Sequence, residues 1–221
     1  AGPAGLAAAV STAERGHDVT LFDKLPAIGG QFRLAMQVPG KEDFKDTVRY
    51  YGRRLEVLGV DVRLRTEVRP ADLADFDEVV VSTGVEPRIP AIPGIDHHTV
   101  VSYADVLDGT VVPGERVAVI GAGGIGVDIC HFLTHQEATT DEWKGFWGVA
   151  DQAVHRGGLG EPTSRSSPRE VWLLQRKTTP IGVGLGKTSG WAHRAVLKQA
   201  GVHEIIGRPT TSSMTTASTS P

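Results

Sequence analysis

The chain has 221 residues, a formal charge of −3, and 40% hydrophobic against 22% charged residues, an ordinary globular composition with room for one large domain or two small ones. It carries no long basic run and no apolar stretch near the ~20 residues that span a bilayer, so neither nucleic acid nor a membrane is an expected partner. Cys130 is the single cysteine, which excludes an internal disulfide and a CxxC pair and, with no signal-peptide pattern, points to the cytoplasm.

The first nine residues, AGPAGLAAA, read as the tail of a G-x-G-x-x-G turn running into an alanine-rich helix. Gly2 and Gly5 take the second and third glycine positions, with Pro3 and Ala4 between them. The strand and first glycine of that motif are not in the sequence, and the expectation is a fragment. A helix to about Arg15 is closed by Gly16, and His17 to Phe22 reads as a strand. Asp23 ends it, about 20 residues past the turn, where an acid holds adenosine ribose hydroxyls.

Further along, Gly29 and Gly30 suggest backbone passing close to a ligand. Glu42 to Leu58 predicts a helix with Val48, Tyr51, Leu55 and Leu58 near one face, and Gly59 ends it. Val60, Val62 and Leu64 alternate as a strand. Asp77 to Ser82 (DEVVVS) predicts a short buried strand, and Thr83-Gly84 after it suits a flavin-binding sheet. The proline-rich segment Pro87 to Gly94 predicts an extended crossing between two halves. His97 and His98 lack a third ligand nearby, and no metal is expected.

Ser102 to Leu107 predicts a short helix, and Pro113-Gly114 a turn. The sharpest motif follows: VAVIGAGGIG, Val117 to Gly126, a buried strand, a glycine-rich turn and a helix. Gly121 permits the tight turn, Gly123 lets the backbone approach a pyrophosphate, and Gly126 lets helix and strand pack closely. Gly124 and Ile125 open the helix, whose free N–H groups face the phosphates. Cys130 fits this helix as a small buried residue.

After His135 the chain departs from the usual unit of ~30 residues. Residues 137–168, including Trp143, Phe146 and Trp147, form a long insertion that either packs over the nucleotide site or folds on itself. Val171 to Gln175 resumes the sheet and ends in Arg176-Lys177. Two cations where the first unit has Asp23 suit a 2′-phosphate, so the first unit points to FAD and the second to NADP(H). GVGLGKT, from Gly182, is one residue short of a P-loop and lacks a strand leading into it, which excludes ATP hydrolysis. Gly190 to Gln199 predicts a helix, and the Thr/Ser-rich stretch 208–221 predicts a disordered tail.

The fold expected is α/β, with two nested Rossmann-like units incomplete at both ends. Residues 1–95 form the FAD unit and 96–207 the NADP unit. With AGPAGLA, IGGQFRLAMQVPGK, YYGRRLEVLGV, IGAGGIG, SPREVWLLQRK and GLGKTSGWAHR in order, the chain resembles the bacterial NADPH-dependent 2,4-dienoyl-CoA reductases of the trimethylamine dehydrogenase-like group, up to about Val202.

That resemblance implies an electron-input half that takes a hydride from NADPH onto FAD in fatty-acid β-oxidation. In the family an N-terminal barrel, here absent, holds FMN, an iron–sulfur cluster adjoins it, and the acid–base residues lie there. No catalytic side chain is therefore expected within this chain. The resemblance implies that Ala4 and the adjoining glycines meet the FAD pyrophosphate and that Asp23 meets its ribose. It implies further that Gln31, Lys41 and Val68 line the flavin's path, that Arg176 and Lys177 hold the 2′-phosphate, and that Trp191 stands near the substrate. The barrel, fused or separate, would be the partner. Two alternatives stay open: a nucleotide-binding module or inactive remnant, and the reductase part of another two-nucleotide flavoprotein such as a ferredoxin reductase or a glutamate synthase small subunit.

Overall fold

The structure, a computed structural model, describes residues 1–207. The tail expected at 208–221 lies outside the described residues. The chain separates into two compact units, Ala1–Ile89 and the remainder from Pro90. Each is a parallel sheet with helices packed on it, the Rossmann-like α/β arrangement expected.

In the first unit helix α1 spans Pro3–Ala13, α2 Phe32–Ala35 and α3 Phe44–Val57, while strands β1 (Thr20–Phe22) and β2 (Asp61–Arg63) pair in parallel. Pro3 starts α1, where its fixed φ suits the first turn and its missing N–H costs nothing. Alanines let α1 lie close on its neighbours. Its buried stripe of Leu6, Ala9 and Val10 meets Leu21 of β1 and Leu55 of α3, and burying such side chains is worth about 1.5–3 kcal/mol for each of the larger ones. Gly16, at φ 88°, ends the helix in the left-handed region. The predicted face of α3 holds: Leu55 is buried, and Tyr51 and Leu58 pack against the same cluster. Arg54 of α3 also donates to Glu14 at the end of α1.

Asp77 to Ser82 is not the buried strand the sequence suggests. The segment joins no ladder among the described residues, and Val80 and Val81 are 69% and 79% exposed. Three valines in a row make a buried strand only where strands flank them, and the segment pairs with neither β1 nor β2. Ser82 alone is tied in, its hydroxyl lying where a Cβ on Gly5 would stand, at 2.6 Å.

The second unit carries β3 (Arg116–Ile120), β4 (Glu170–Gln175) and β5 (His203–Ile206) in that order, all parallel. Its helices are α4 (Tyr103–Leu107), α5 (Gly124–Thr134), α6 (Thr140–Trp147) and α7 (Gly190–Gln199). Ser102 caps α4 by accepting from the Asp105 N–H at 3.1 Å. Helix α5 packs on β3 and β4 and against α7. Its Val127, Cys130 and Leu133 are buried, as are Val171 and Leu173 of β4 and Leu197 of α7. The strand β5 escapes sequence analysis because His203-Glu204 breaks the apolar pattern of a buried edge.

Of the two readings of the insertion, the self-packed one fits its internal bonds. A capping box starts α6: Thr139 accepts from the Glu142 N–H, and Glu142 accepts from the Thr139 N–H at 2.7 Å. Gly148 stops the helix at φ 64°, and Val149 bridges Leu159 in antiparallel fashion. The base is closed by Arg165, which donates to Gln136 Oε1 at 3.0 Å and to the Glu137 carbonyl at 2.9 Å, while Gln136 donates to the Ser166 carbonyl. Two ends held together leave β3 and β4 free to pair directly across a long excursion.

Candidate functional site: two glycine turns with opposite charge at their strand ends

In the second unit the turn is built as its glycines require. Gly121 adopts φ 107°, out of reach of other L-residues without strain. A Cβ on Gly126 would lie 1.8 Å from the Gly121 carbonyl oxygen, so helix and turn meet backbone to backbone. Around Gly123 and Gly124, by contrast, a Cβ would meet nothing within 4 Å. These two positions face open space at the start of α5, whose first bond runs from the Val127 N–H to the Gly123 carbonyl. The amides ahead of Val127 precede the helical ladder, and the first turn contains no acid. An open approach, unpaired amides and the positive end of a helix dipole fit a pyrophosphate.

The strand end beside this turn carries the cations. Gly121 donates to the Leu174 carbonyl at 2.9 Å, and the Ile120–Leu174 register brings Gly121 level with Gln175. Arg176 and Lys177 follow directly, both exposed. Glycine turn and cations thus share the carboxyl edge of two neighbouring parallel strands, where nucleotides bind in such sheets.

The first unit repeats this arrangement with the opposite sign. The Leu6 N–H donates to the Gly2 carbonyl to start the α1 ladder, again with no acid in the first turn. Gly29 donates to the Ala1 carbonyl at 2.8 Å, and Gly30, at φ 48°, lies so close that a Cβ there would stand 2.7 Å from Gly2 Cα. Asp23 ends β1 beside the turn. Its Oδ2 accepts from the Ala1 ammonium at 2.5 Å and its Oδ1 from the Leu25 N–H at 2.8 Å. A carboxylate has about four lone-pair sites, so Asp23 keeps capacity for a ribose hydroxyl.

Among the residues expected around the flavin, Gly2, Gly30 and Asp23 meet at this turn, and Gly5 supports it from inside α1. Pro3 and Ala4 open α1, and Gln31, exposed, leads into α2. Lys41 and Val68 are half-buried on separate connecting segments, and Gly84 is an exposed turn residue at φ 79°. Trp191 stands in the first turn of α7 and is 63% exposed. Ile125 is exposed beside the open glycines. Gln175 was not singled out from the sequence, because a glutamine at a strand end carries no motif; only its hydrogen bonds distinguish it.

Cys130 lies on the buried face of α5, and burial together with the Glu204 charge pushes its thiol up to about 12. It is a core residue. His97 and His98 lie exposed with ring centroids 4.3 Å apart. No helix among the described residues is long and apolar enough to cross a membrane.

The chain is similar to known proteins. An N,N-dimethylglycine/sarcosine dehydrogenase of Chromohalobacter salexigens is 38% identical over 63% of the chain and 22% of its own length. A metal reductase of Desulforamulus reducens is 29% identical over 90% of the chain and 30% of its own. The solved structure of a 2-naphthoyl-CoA reductase in complex with 2-naphthoyl-CoA superposes with a TM-score of 0.73 at 26% identity, over 94% of this chain and 27% of that one. The chain therefore spans less than a third of the length of these relatives. The family model for pyridine nucleotide-disulphide oxidoreductases matches residues 1–211, and the chain belongs to that family, as a flavin-dependent NAD(P)H-oxidoreductase-type domain.

Proposed function

We propose that the chain is the electron-input portion of a reductase in which the first unit holds FAD and the second holds NADPH. The observation that carries this is the charge contrast between equivalent strand ends: Asp23 beside the first turn, Arg176 and Lys177 beside the second. An anion at the first favours free ribose hydroxyls and repels a 2′-phosphate, whereas two cations at the second attract one. When bound, NADPH supplies a hydride that FAD accepts. The chain's own residues bind and orient the two nucleotides through the glycine turns and helix ends, and no side chain need move a proton.

For the whole protein we infer a reductase of the 2,4-dienoyl-CoA type. The sequence blocks that resemble that group support it, as does the similarity to a 2-naphthoyl-CoA reductase solved in complex with 2-naphthoyl-CoA. The barrel with FMN, the iron–sulfur cluster and the acyl-CoA site would then lie outside this chain, with Trp191 on the substrate side. A second reading, a module that binds nucleotide without turnover, is favoured by one observation: Val79 to Val81, unpaired and exposed, leave the flavin unit with two strands among the described residues. Flavin retention followed by anaerobic addition of NADPH separates the two.

A further inference from the structure

The sheets of the two units differ by one strand. Each unit seats its third glycine on a leucine of the strand that follows the helix: a Cβ on Gly5 would meet Leu21 Cδ1 at 3.6 Å, and a Cβ on Gly126 would meet Leu173 Cδ1 at 3.5 Å. Strand β1 is therefore the counterpart of β4, and each pairs in parallel with the strand after it, β2 or β5. On its other side β4 pairs with β3. No strand among the described residues pairs with the other side of β1.

That edge of β1 is open. Successive residues of a strand turn their N–H and C=O groups to alternate sides. The Val19 carbonyl accepts from the Asp61 N–H, and the Asp23 N–H donates to the Arg63 carbonyl, both at 3.0 Å, so Thr20 and Phe22 turn theirs away from β2. Their counterparts are Trp172 and Leu174, and the Leu174 carbonyl accepts from the Gly121 N–H at 2.9 Å. The same contrast holds beneath the helices. A Cβ on Gly126 would lie 1.8 Å from the Gly121 carbonyl oxygen, just past the end of β3, whereas a Cβ on Gly5 would find Ser82 Oγ at 2.6 Å. A hydroxyl from the unpaired Val79–Ser82 segment thus takes the place that a strand-end carbonyl takes in the second unit.

We propose that the Thr20–Phe22 edge is a docking site for a short, extended, apolar segment from outside this chain, which adds to β1 as a parallel strand. Direction and length follow from β3, whose five residues Arg116–Ile120 match Glu170–Leu174 one for one. So does the apolar character: Val117 and Val119 are in register with the buried Val171 and Leu173. The Thr/Ser-rich residues 208–221 contain no such run. The 2-naphthoyl-CoA reductase structure matches over only 27% of its own length, so most of that relative's polypeptide lies outside the part that this chain resembles.

The test is equilibrium binding of a dye-labelled acetyl-Arg-Val-Ala-Val-Ile carboxamide, the sequence of β3, to the full chain by fluorescence anisotropy, with the thermal midpoint of each variant recorded. The terminal carboxamide stands in for the Gly121 N–H and would donate to the Phe22 carbonyl. Saturable binding of about one peptide per chain is expected for a single edge. The peptide N-methylated at its second valine, the counterpart of Val119, cannot donate to the Thr20 carbonyl and should bind about tenfold more weakly or worse. Thr20→Pro removes an N–H that faces only the open edge, so the parent midpoint should be nearly kept, while peptide binding weakens about tenfold or more. Equal binding of the plain and methylated peptides would mean adhesion without pairing, and equal binding by the parent and Thr20→Pro would mean another edge; either overturns the proposal. So does the absence of saturable binding, or a parent chain that sediments as a dimer the peptide leaves intact, the edge being then filled by a second copy. If Thr20→Pro fails to fold, the methylated peptide decides.

Discussion

A Cβ on Gly126 would stand 1.8 Å from the carbonyl oxygen of Gly121, while one on Gly123, three residues earlier in the same motif, would touch nothing within 4 Å. The three glycines of the second turn therefore serve different ends. Gly126 holds the fold, and Gly123, at an ordinary φ of −81°, keeps a path clear. Gly126→Ala should lower stability by about 3 kcal/mol, on the order of 10 °C in the thermal midpoint. Gly123→Ala should keep the parent midpoint and weaken NADPH about tenfold or more, because its methyl stands where a phosphate would approach. Calorimetry and nucleotide titration on both variants check the contrast; equal destabilisation by both would contradict it.

Gly30 makes the same kind of prediction for the flavin unit. At φ 48°, and with Gly2 Cα 2.7 Å from where its Cβ would be, Gly30→Ala should distort the first turn at a cost of about 1 kcal/mol for conformation alone. Flavin retention after reconstitution should fall while NADPH binding by the second unit persists. Normal flavin retention would place Gly30 outside that site.

Arg176→Ala should weaken NADPH about tenfold to a hundredfold, the range for hydrogen bonds to a charged group, and change NADH by less than about threefold. Equal losses for both nucleotides would mean that Arg176 does not read the 2′-phosphate.

Cys130 sets a pH dependence. Its thiol is raised to about 12 by burial, against about 8.5 in an unfolded chain. The folded state thus holds this proton more tightly, and the stability it contributes is complete below about pH 8.5 and lost as pH climbs towards 12. Between pH 8.5 and 10.5 the parent should lose stability more steeply than Cys130→Ala, by up to about 1.4 kcal/mol per pH unit. Urea unfolding at several pH values measures this, and parallel curves would contradict it.

Much of this is legible in the sequence, for physical reasons. Alanine runs, Pro3 and Gly16 mark α1 because propensity and caps act locally. The Val117–Gly126 motif is legible because Gly121 and Gly126 answer local geometric demands, a positive φ and a close backbone approach. Asp77–Ser82 misled because burial of a strand depends on its neighbours, which lie elsewhere in sequence. The insertion's closure was hidden because it rests on Arg165 reaching Gln136 and Glu137 across the excursion. Gln175 was hidden for the converse reason: its bonds are local, to Lys177 and Thr179, yet they follow from a turn shape that composition does not announce.

The most direct measurement is the visible absorbance of the purified chain after FAD reconstitution and desalting, followed by NADPH under anaerobic conditions. The proposed function predicts a retained flavin band that NADPH bleaches, with the Arg176→Ala chain needing about tenfold more NADPH or beyond. A chain that retains no flavin, or whose retained flavin NADPH leaves oxidised, would contradict it.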